Sequence, residues 1–279
     1  MKLSCLPVSY FDKIIKGKKT ISDWAIEAKE IGYDYIDLSI LFFRVLDKEY
    51  FFRLKEELDK TGMGIAIVNT YSDFTHPNIN IRDTELVKIK QYIGAAEILG
   101  AKYIRLTAGQ AHPQISEGDG ITWAVEGLEK VNELARETSV GLLYENHSKP
   151  GIWDYTDFSF PVDIFLKIYE RIKDLPIKIL FDTANPVASG ADPLKIIDKI
   201  YKDIACIHAA DIEGRGFFKP VVIGTGIVPF KDIFIKLKKL GFNGIISVEE
   251  ASFTGRSGIE NAQKYIRCIW QNDSTSCFK

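Results

Sequence analysis

Cysteine, histidine and net charge are all scarce in this sequence. Its four cysteines, Cys5, Cys206, Cys268 and Cys277, are scattered over 279 residues and form no CxxC pair. Zinc-knuckle and thiol-redox readings therefore have no support, and four reduced bystanders in a cytoplasmic protein are the expectation. Long apolar runs are missing too: no segment approaches the roughly 18 uninterrupted apolar residues of a membrane span. The N-terminus has no extended apolar stretch leading to a small-residue cleavage site, so no export is expected. With 36 basic against 38 acidic residues, a net charge of −2 and no basic block, a large electrostatic footprint for nucleic acid is not expected either. Low-complexity linkers and abrupt composition shifts are also absent.

What is present is ordinary globular composition, 46% apolar and 27% charged, arranged as short β-branched or aromatic runs alternating with longer amphipathic stretches. Strands are expected at 2–6, 35–39, 64–70, 103–108, 141–146, 177–183, 205–210 and 244–249. Helices are expected at 21–31, 50–60, 83–99, 121–138, 162–173, 193–201, 230–240 and 259–270. Several strands are apolar on both faces, as buried parallel strands are. Gly32, Gly62, Gly100 and Gly241 follow apolar-periodic stretches as helix stops, and Asp192-Pro193 reads as an N-cap followed by a first-turn proline. Eight β-then-α units imply a (β/α)8 TIM barrel, one domain over 1–279 with 272–279 as a frayed tail. An open doubly wound sheet is the alternative, because periodicity does not reveal closure. The longest connections, 71–82, 109–120, 147–161 and 212–230, all follow strands, on the face where barrels build active sites.

The last four strands each end in a metal-competent side chain: Glu145 in Tyr-Glu-Asn-His, Asp182 in Phe-Asp-Thr-Ala-Asn, His208 in Ile-His-Ala-Ala-Asp and Glu249 in Val-Glu-Glu-Ala-Ser. Equivalent positions on consecutive barrel strands converge on the axis, so these four can surround one cation. Three carboxylates and an imidazole are a hard donor set that suits Mn²⁺ first, with Mg²⁺, Co²⁺ or a carboxylate-rich Zn²⁺ site as alternatives. Acidic residues at strand ends also cap helices or pair with rim cations, and that reading stands beside the metal one. Period-two alternation places Glu249 and Glu250 on opposite faces without saying which is inward.

Those motifs, with Gly224-Thr225-Gly226 between the third and fourth, resemble the xylose isomerase-like barrels of the sugar phosphate isomerase/epimerase superfamily. The resemblance spans nearly the whole chain and is densest from 143 to 252. It implies one divalent metal on Glu145, Asp182, His208 and Glu249, and it selects Glu249 over Glu250. Likeness to the ketose 3-epimerases implies an isomerase or epimerase acting on a small sugar, keto-sugar or polyol. There the metal stabilises an enediolate while Glu145 and Glu249 act as the acid/base pair. The chain departs from that pattern at Gly151 and Asn185, where the epimerases carry a glutamate and a histidine.

Arg105 and His147 resemble positions that bind a carboxylate and act as base in 3-dehydroshikimate dehydratases. The alternative is therefore a lyase of the inosose, 3-keto-glycoside or 3-dehydroshikimate type. For Arg105 a buried ion pair with Asp37 or Asp182 is the structural alternative. Substrate contacts are expected from Arg105, Lys149, Trp153, Asn185 and Arg215, with Glu213 and Lys219 also on the long loops. Endonuclease IV is a third relative in kind, but four histidines, two of them His76 and His112 after strands three and four, cannot hold its three zinc ions. A barrel that binds without catalysing is a further reading. Gly224-Thr225-Gly226 could cradle a phosphate but is no dinucleotide fingerprint, so no nucleotide cofactor is inferred. The expected partner is a small sugar or polyol, with no nucleic acid and no membrane, and a homo-oligomer is left open. Tyr10, Phe42, Phe43, Tyr71 and Phe74 are aromatic residues at loop starts, suited to stacking on a sugar ring or covering the barrel mouth.

Overall fold

The computed structural model describes residues 1–271. In chain order its elements are β1 (Lys2–Leu6), α1 (Phe11–Ile15), α2 (Ile21–Ile31), β2 (Tyr35–Ser39), α3 (Lys48–Thr61), β3 (Gly64–Asn69), α4 (Ile79–Leu99), β4 (Tyr103–Leu106) and α5 (Glu117–Ala135). They continue with β5 (Gly141–Glu145), α6 (Val162–Ile172), β6 (Ile177–Asp182), α7 (Asn185–Ala188), α8 (Pro193–Ile200), β7 (Ile204–Ala209), α9 (Phe230–Lys239), β8 (Ile245–Glu249) and α10 (Arg256–Gln271). The strands are parallel and pair in sequence order from β2 to β8, and β8 returns to pair with β1, Lys2 opposite Ile245. Asp34 bridges the remaining β1–β2 seam: its N–H donates to the Leu3 carbonyl and its carboxylate accepts the Leu3 N–H, each at 2.9 Å. The fold is a (β/α)8 TIM barrel rather than an open sheet.

Helix starts lie earlier than the apolar periodicity places them, because polar caps precede the apolar stripe. Asp47, Asn78 and Ser116 each accept a backbone N–H of the first turn, so α3, α4 and α5 begin at Lys48, Ile79 and Glu117. At the other ends Gly32, Gly62 and Gly100 take the left-handed conformation expected of helix-stop glycines, with φ of 99°, 70° and 68°.

Large side chains such as Trp24, Phe165, Phe230 and Phe234 fill the space between sheet and helices. Inside the barrel, period two stacks two layers. Leu143, Leu180, Cys206 and Ile245 form an apolar plug with the half-buried Tyr35 and Tyr103. Two residues further along the same strands the inward positions are polar and buried: Asp37, Arg105, Glu145, Asp182, His208 and Ser247. The plug seals one end, so the polar layer opens only toward the loops that follow the strands.

Cys5 and Cys206 are free and buried. Cys268 is disulfide-bonded, so the expectation of four reduced cysteines fails there: a bridge requires only that two Cβ atoms meet in space, which the lack of a CxxC pair does not preclude. Cys277 and the tail at 272–279 lie outside the described residues. Among the described residues no helix is long and apolar enough to cross a membrane.

Candidate metal centre

Glu145, Asp182, His208 and Glu249 each offer one ligand atom, and these atoms all lie within 4.8 Å of one another. They do not share one register level. Asp182 stands opposite His208, but Glu145 stands opposite Leu180 and His208 opposite Ser247. The tilt of barrel strands converts this two-residue stagger into one ring about the axis. Glu249 is on the cluster side, its Oε2 3.3 Å from His208 Nδ1. Glu250 points away, its Oε1 accepting the Ser252 N–H at 2.9 Å.

Glu145 is fully engaged. Its Oε2 accepts from Arg105 Nη1 at 2.7 Å, and its Oε1 lies 2.5 Å from His208 Nδ1. Arg105 thus pairs with Glu145, not with Asp37 or Asp182, and its guanidinium carbon lies 4.9 Å from the Tyr71 ring centroid. Asp182 Oδ1 accepts the Ala184 and Asn185 N–H groups at 2.8 and 2.6 Å, where the chain turns into α7. Asn146 clamps the same strand end, its Oδ1 accepting the Asp182 N–H and its Nδ2 donating to the Asp182 carbonyl.

Three carboxylates in a buried space need positive charge nearby. Burial, followed by the charges of Glu249 and Glu145, pushes Asp182 well above the usual carboxylate range. Burial would lower the His208 pKa, but Glu145 and Glu249 outweigh it and lift it to about 9. Burial would raise Glu145, but Arg105 and His208 together hold it well below its ordinary value. Two atoms of the cluster, Asp182 Oδ2 and His208 Nε2, are buried without a hydrogen-bond partner. A divalent cation would supply the charge and give the orphaned Asp182 Oδ2 a partner.

The cluster opens into a cavity of about 490 Å³ lined by Tyr71, Arg105, His147, Lys149, Asn185 and Glu249, among others. His147 Nδ1 lies 3.4 Å from the Oδ2 of Asp157, a carboxylate at 0% exposure, and neither atom has a hydrogen-bond partner. Sequence reading missed Asp157, since nothing in its spacing ten residues after His147 marks it. Trp153 packs edge-on against His147, with centroids 5.7 Å apart, and lines a neighbouring cavity instead. Asn185 donates to the Asn146 carbonyl at 3.0 Å and keeps its Oδ1 unpaired. Lys149 donates to the Asp154 carbonyl at 2.8 Å. Arg215 is exposed and is not among the residues lining this cavity, and Glu213 and Lys219 on the same loop pair with each other at 2.6 Å.

The Gly224-Thr225-Gly226 amides are already occupied. Asp211 Oδ2 accepts the N–H groups of Gly224 and Gly226 at 2.9 Å each, and its Oδ1 accepts those of Ile212 and Val228. The turn is a carboxylate-filled nest, not a phosphate cradle. His76 and His112 meet beside Asp73, with ring centroids 4.7 Å apart and His112 Nε2 2.9 Å from Asp73 Oδ2.

A family model described as xylose isomerase-like TIM barrel matches residues 26–269. In sequence the chain is similar to an inosose dehydratase of Geobacillus thermodenitrificans, 26% identical over 141 residues, 45% of this chain and 45% of that relative. It therefore spans about half the length of this relative. In fold it is similar to a structure described as IOLI protein with a binding zinc atom, at TM-score 0.78 and 17% identity over 99% of this chain and 100% of that one. It is equally similar to a D-tagatose 3-epimerase-like protein, at TM-score 0.78 and 18% identity over 97% of each chain.

Proposed function

Because this chain belongs to the xylose isomerase-like TIM barrel family, we propose that it is a divalent-metal-dependent lyase that removes water from a neutral keto-polyol, an inosose or a 3-keto sugar, by way of an enolate. The observation that carries this reading is the pairing of Arg105 with Glu145 Oε2, together with a second candidate base, His147, that faces the cavity. Epimerisation at carbon needs a proton carrier on each face of the substrate. Glu145 is buried and its Oε2 is paired to Arg105, so it serves as a ligand through its other oxygen. His147 and Glu249 are then the proton carriers facing the cavity, and one base with one acid is what elimination requires. The inosose dehydratases among its sequence relatives support the same order. The expectation that ranked isomerisation first and elimination second is reversed here.

In this reading the Asp157 carboxylate, 3.4 Å from Nδ1, offsets the charge His147 gains when its Nε2 takes the proton from the carbon beside the ketone. The electron pair forms the new C=C bond as the β-hydroxyl departs. Glu249, whose side chain is 25% exposed to the cavity, is placed to return a proton to that hydroxyl, releasing water. Bound at Glu145, Asp182, His208 and Glu249, a divalent ion would supply Lewis-acid polarisation of the substrate carbonyl. Manganese is our first candidate for it, with magnesium, cobalt and zinc behind. Arg105 has its charge matched by Glu145, which favours a neutral substrate over a dehydroshikimate-like carboxylate.

Metal-loaded protein incubated with an inosose in deuterated water tests the proposal. The expected result is a product lighter by one water, with His147→Ala slowed by at least about a hundredfold. A product of unchanged formula carrying solvent deuterium would overturn elimination in favour of isomerisation.

A further inference from the structure

The cavity above the metal centre changes character along its depth. Its floor carries Arg105, His147, Asn185 and Glu249, whereas its rim is built from Phe11, Ile15, Leu41, Ile152, Phe218 and Phe253. These rim side chains come from α1 and from the segments after β2, β5, β7 and β8, so the collar is contributed from most of the barrel mouth. Several are left open to solvent, with Ile15 at 51%, Ile152 at 55% and Phe253 at 73% exposure. Phe253 is also the one non-glycine residue with positive φ among the described residues, at 58°. Its N–H is held by Ser9 Oγ at 2.8 Å. That conformation is unfavourable for a bulky side chain, and where it occurs beside a binding cavity it points to function. Gly151 lines the same cavity and has no atom within 4 Å of where a Cβ would stand, so the cavity is open there.

A bare keto-polyol carries a hydroxyl on nearly every carbon and gains little from an aliphatic and aromatic collar, since its hydroxyls would lose water without finding partners. One cavity of about 490 Å³ runs from the charged floor to the rim, a volume in the range of pockets that enclose drug-sized molecules. Its occupant reaches both zones, so it has a polar head and an apolar end. We infer that the substrate is a conjugate: a keto-sugar ring seated over the metal centre and joined to an aromatic or other apolar substituent that lies in the collar between Phe218 and Phe253. The inference rests on the elimination reading for the ring and on the collar for the substituent; where the substituent is joined at the carbon β to the ketone, its oxygen departs in place of the hydroxyl and takes the proton from Glu249.

The test measures affinity and turnover separately. Calorimetric titration of the full chain with Mn²⁺ present compares phenyl β-glucoside with methyl β-glucoside. The phenyl glycoside is expected to bind at least about tenfold tighter, and Phe253→Ala and Phe218→Ala to lower that ratio toward one while the melting temperature holds. Equal affinity for the two, no measurable affinity for either, or a ratio that both substitutions leave intact would overturn the inference. So would sedimentation showing that Phe253→Ala dissociates a dimer, which would make a second copy the collar's occupant. Loss of water from an inosose alongside equal glycoside affinities overturns the conjugate and keeps elimination. A phenyl preference without turnover of any keto-sugar supports the collar and overturns elimination.

Discussion

Arg105 and Glu145 are the pair on which the site's electrostatics turn. Both are buried, with side chains 3% and 1% exposed, so neither charge can be left to water if its partner is removed. Truncating one member of such a pair typically costs about 3–5 kcal/mol. Arg105→Gln in metal-free protein is therefore expected to lower stability by that order, and Glu145→Gln in the same background to recover a large part of it. A denaturant-based double-mutant cycle with coupling below about 0.5 kcal/mol would show that the two do not act as a unit. Residue types at 105 and 145 were legible in the sequence, but their partnership was not. Asp37 lies equally deep in the barrel, and it is held instead by Ser4, Ser247 and the Ile67 N–H.

At the scale of elements, α2 shows how a helix is fixed to the segment that leads into the barrel mouth. Thr20 and Asp23 form a reciprocal capping box at its start. One turn later Glu27 accepts Tyr10 Oη at 2.7 Å and Lys19 Nζ at 2.5 Å. Burial would raise the Glu27 carboxyl, but the Lys19 and Tyr10 hydrogen bonds outweigh it and hold it below its ordinary 4.5. A carboxyl depressed in the folded state contributes stability that is present above its unfolded pKa and lost as pH falls through its folded value. Glu27→Gln is thus expected to lower stability by roughly 1–3 kcal/mol at pH 7. The difference should shrink below about pH 4. Melting curves of the two proteins across that window check it, and a difference independent of pH would rule the ion pair out as its source. The capping residues could be read in advance, whereas Glu27 looked like any helical glutamate until the fold brought Tyr10 and Lys19 to it.

For the whole molecule, the consequence of gathering three carboxylates from three strands is that the barrel folds against their repulsion unless a cation is present. Binding to the folded state alone stabilises by about 2.7 kcal/mol at a hundredfold excess over Kd. For a chain of this size that corresponds to a rise in Tm on the order of 5 °C. Adding Mn²⁺ to chelator-treated protein should produce this rise, and Asp182→Asn should remove most of it. Its Oδ1 would keep the Ala184 and Asn185 amides, while the unpaired Oδ2 position would lose its donor lone pair. Protein whose Tm ignores manganese, magnesium, cobalt and zinc alike would have no such centre.

The sequence by itself determined the eight β-then-α units and a metal-competent residue at the end of each of the last four strands, with the choice of Glu249 over Glu250 resting on the family resemblance. These follow from local rules: period-two alternation within a strand, helix-stop glycines and polar caps. It could not give the stagger between strands, because register is set by pairing and barrel tilt, which involve residues far apart in the chain. For the same reason it did not disclose that Arg105 occupies Glu145, that Asp157 stands behind His147, or that Asp211 fills the Gly224-Thr225-Gly226 turn. Each of those facts is a contact across at least one loop, and two of them, at Glu145 and at the Gly224-Thr225-Gly226 turn, reassigned residues that the motifs alone had marked for something else.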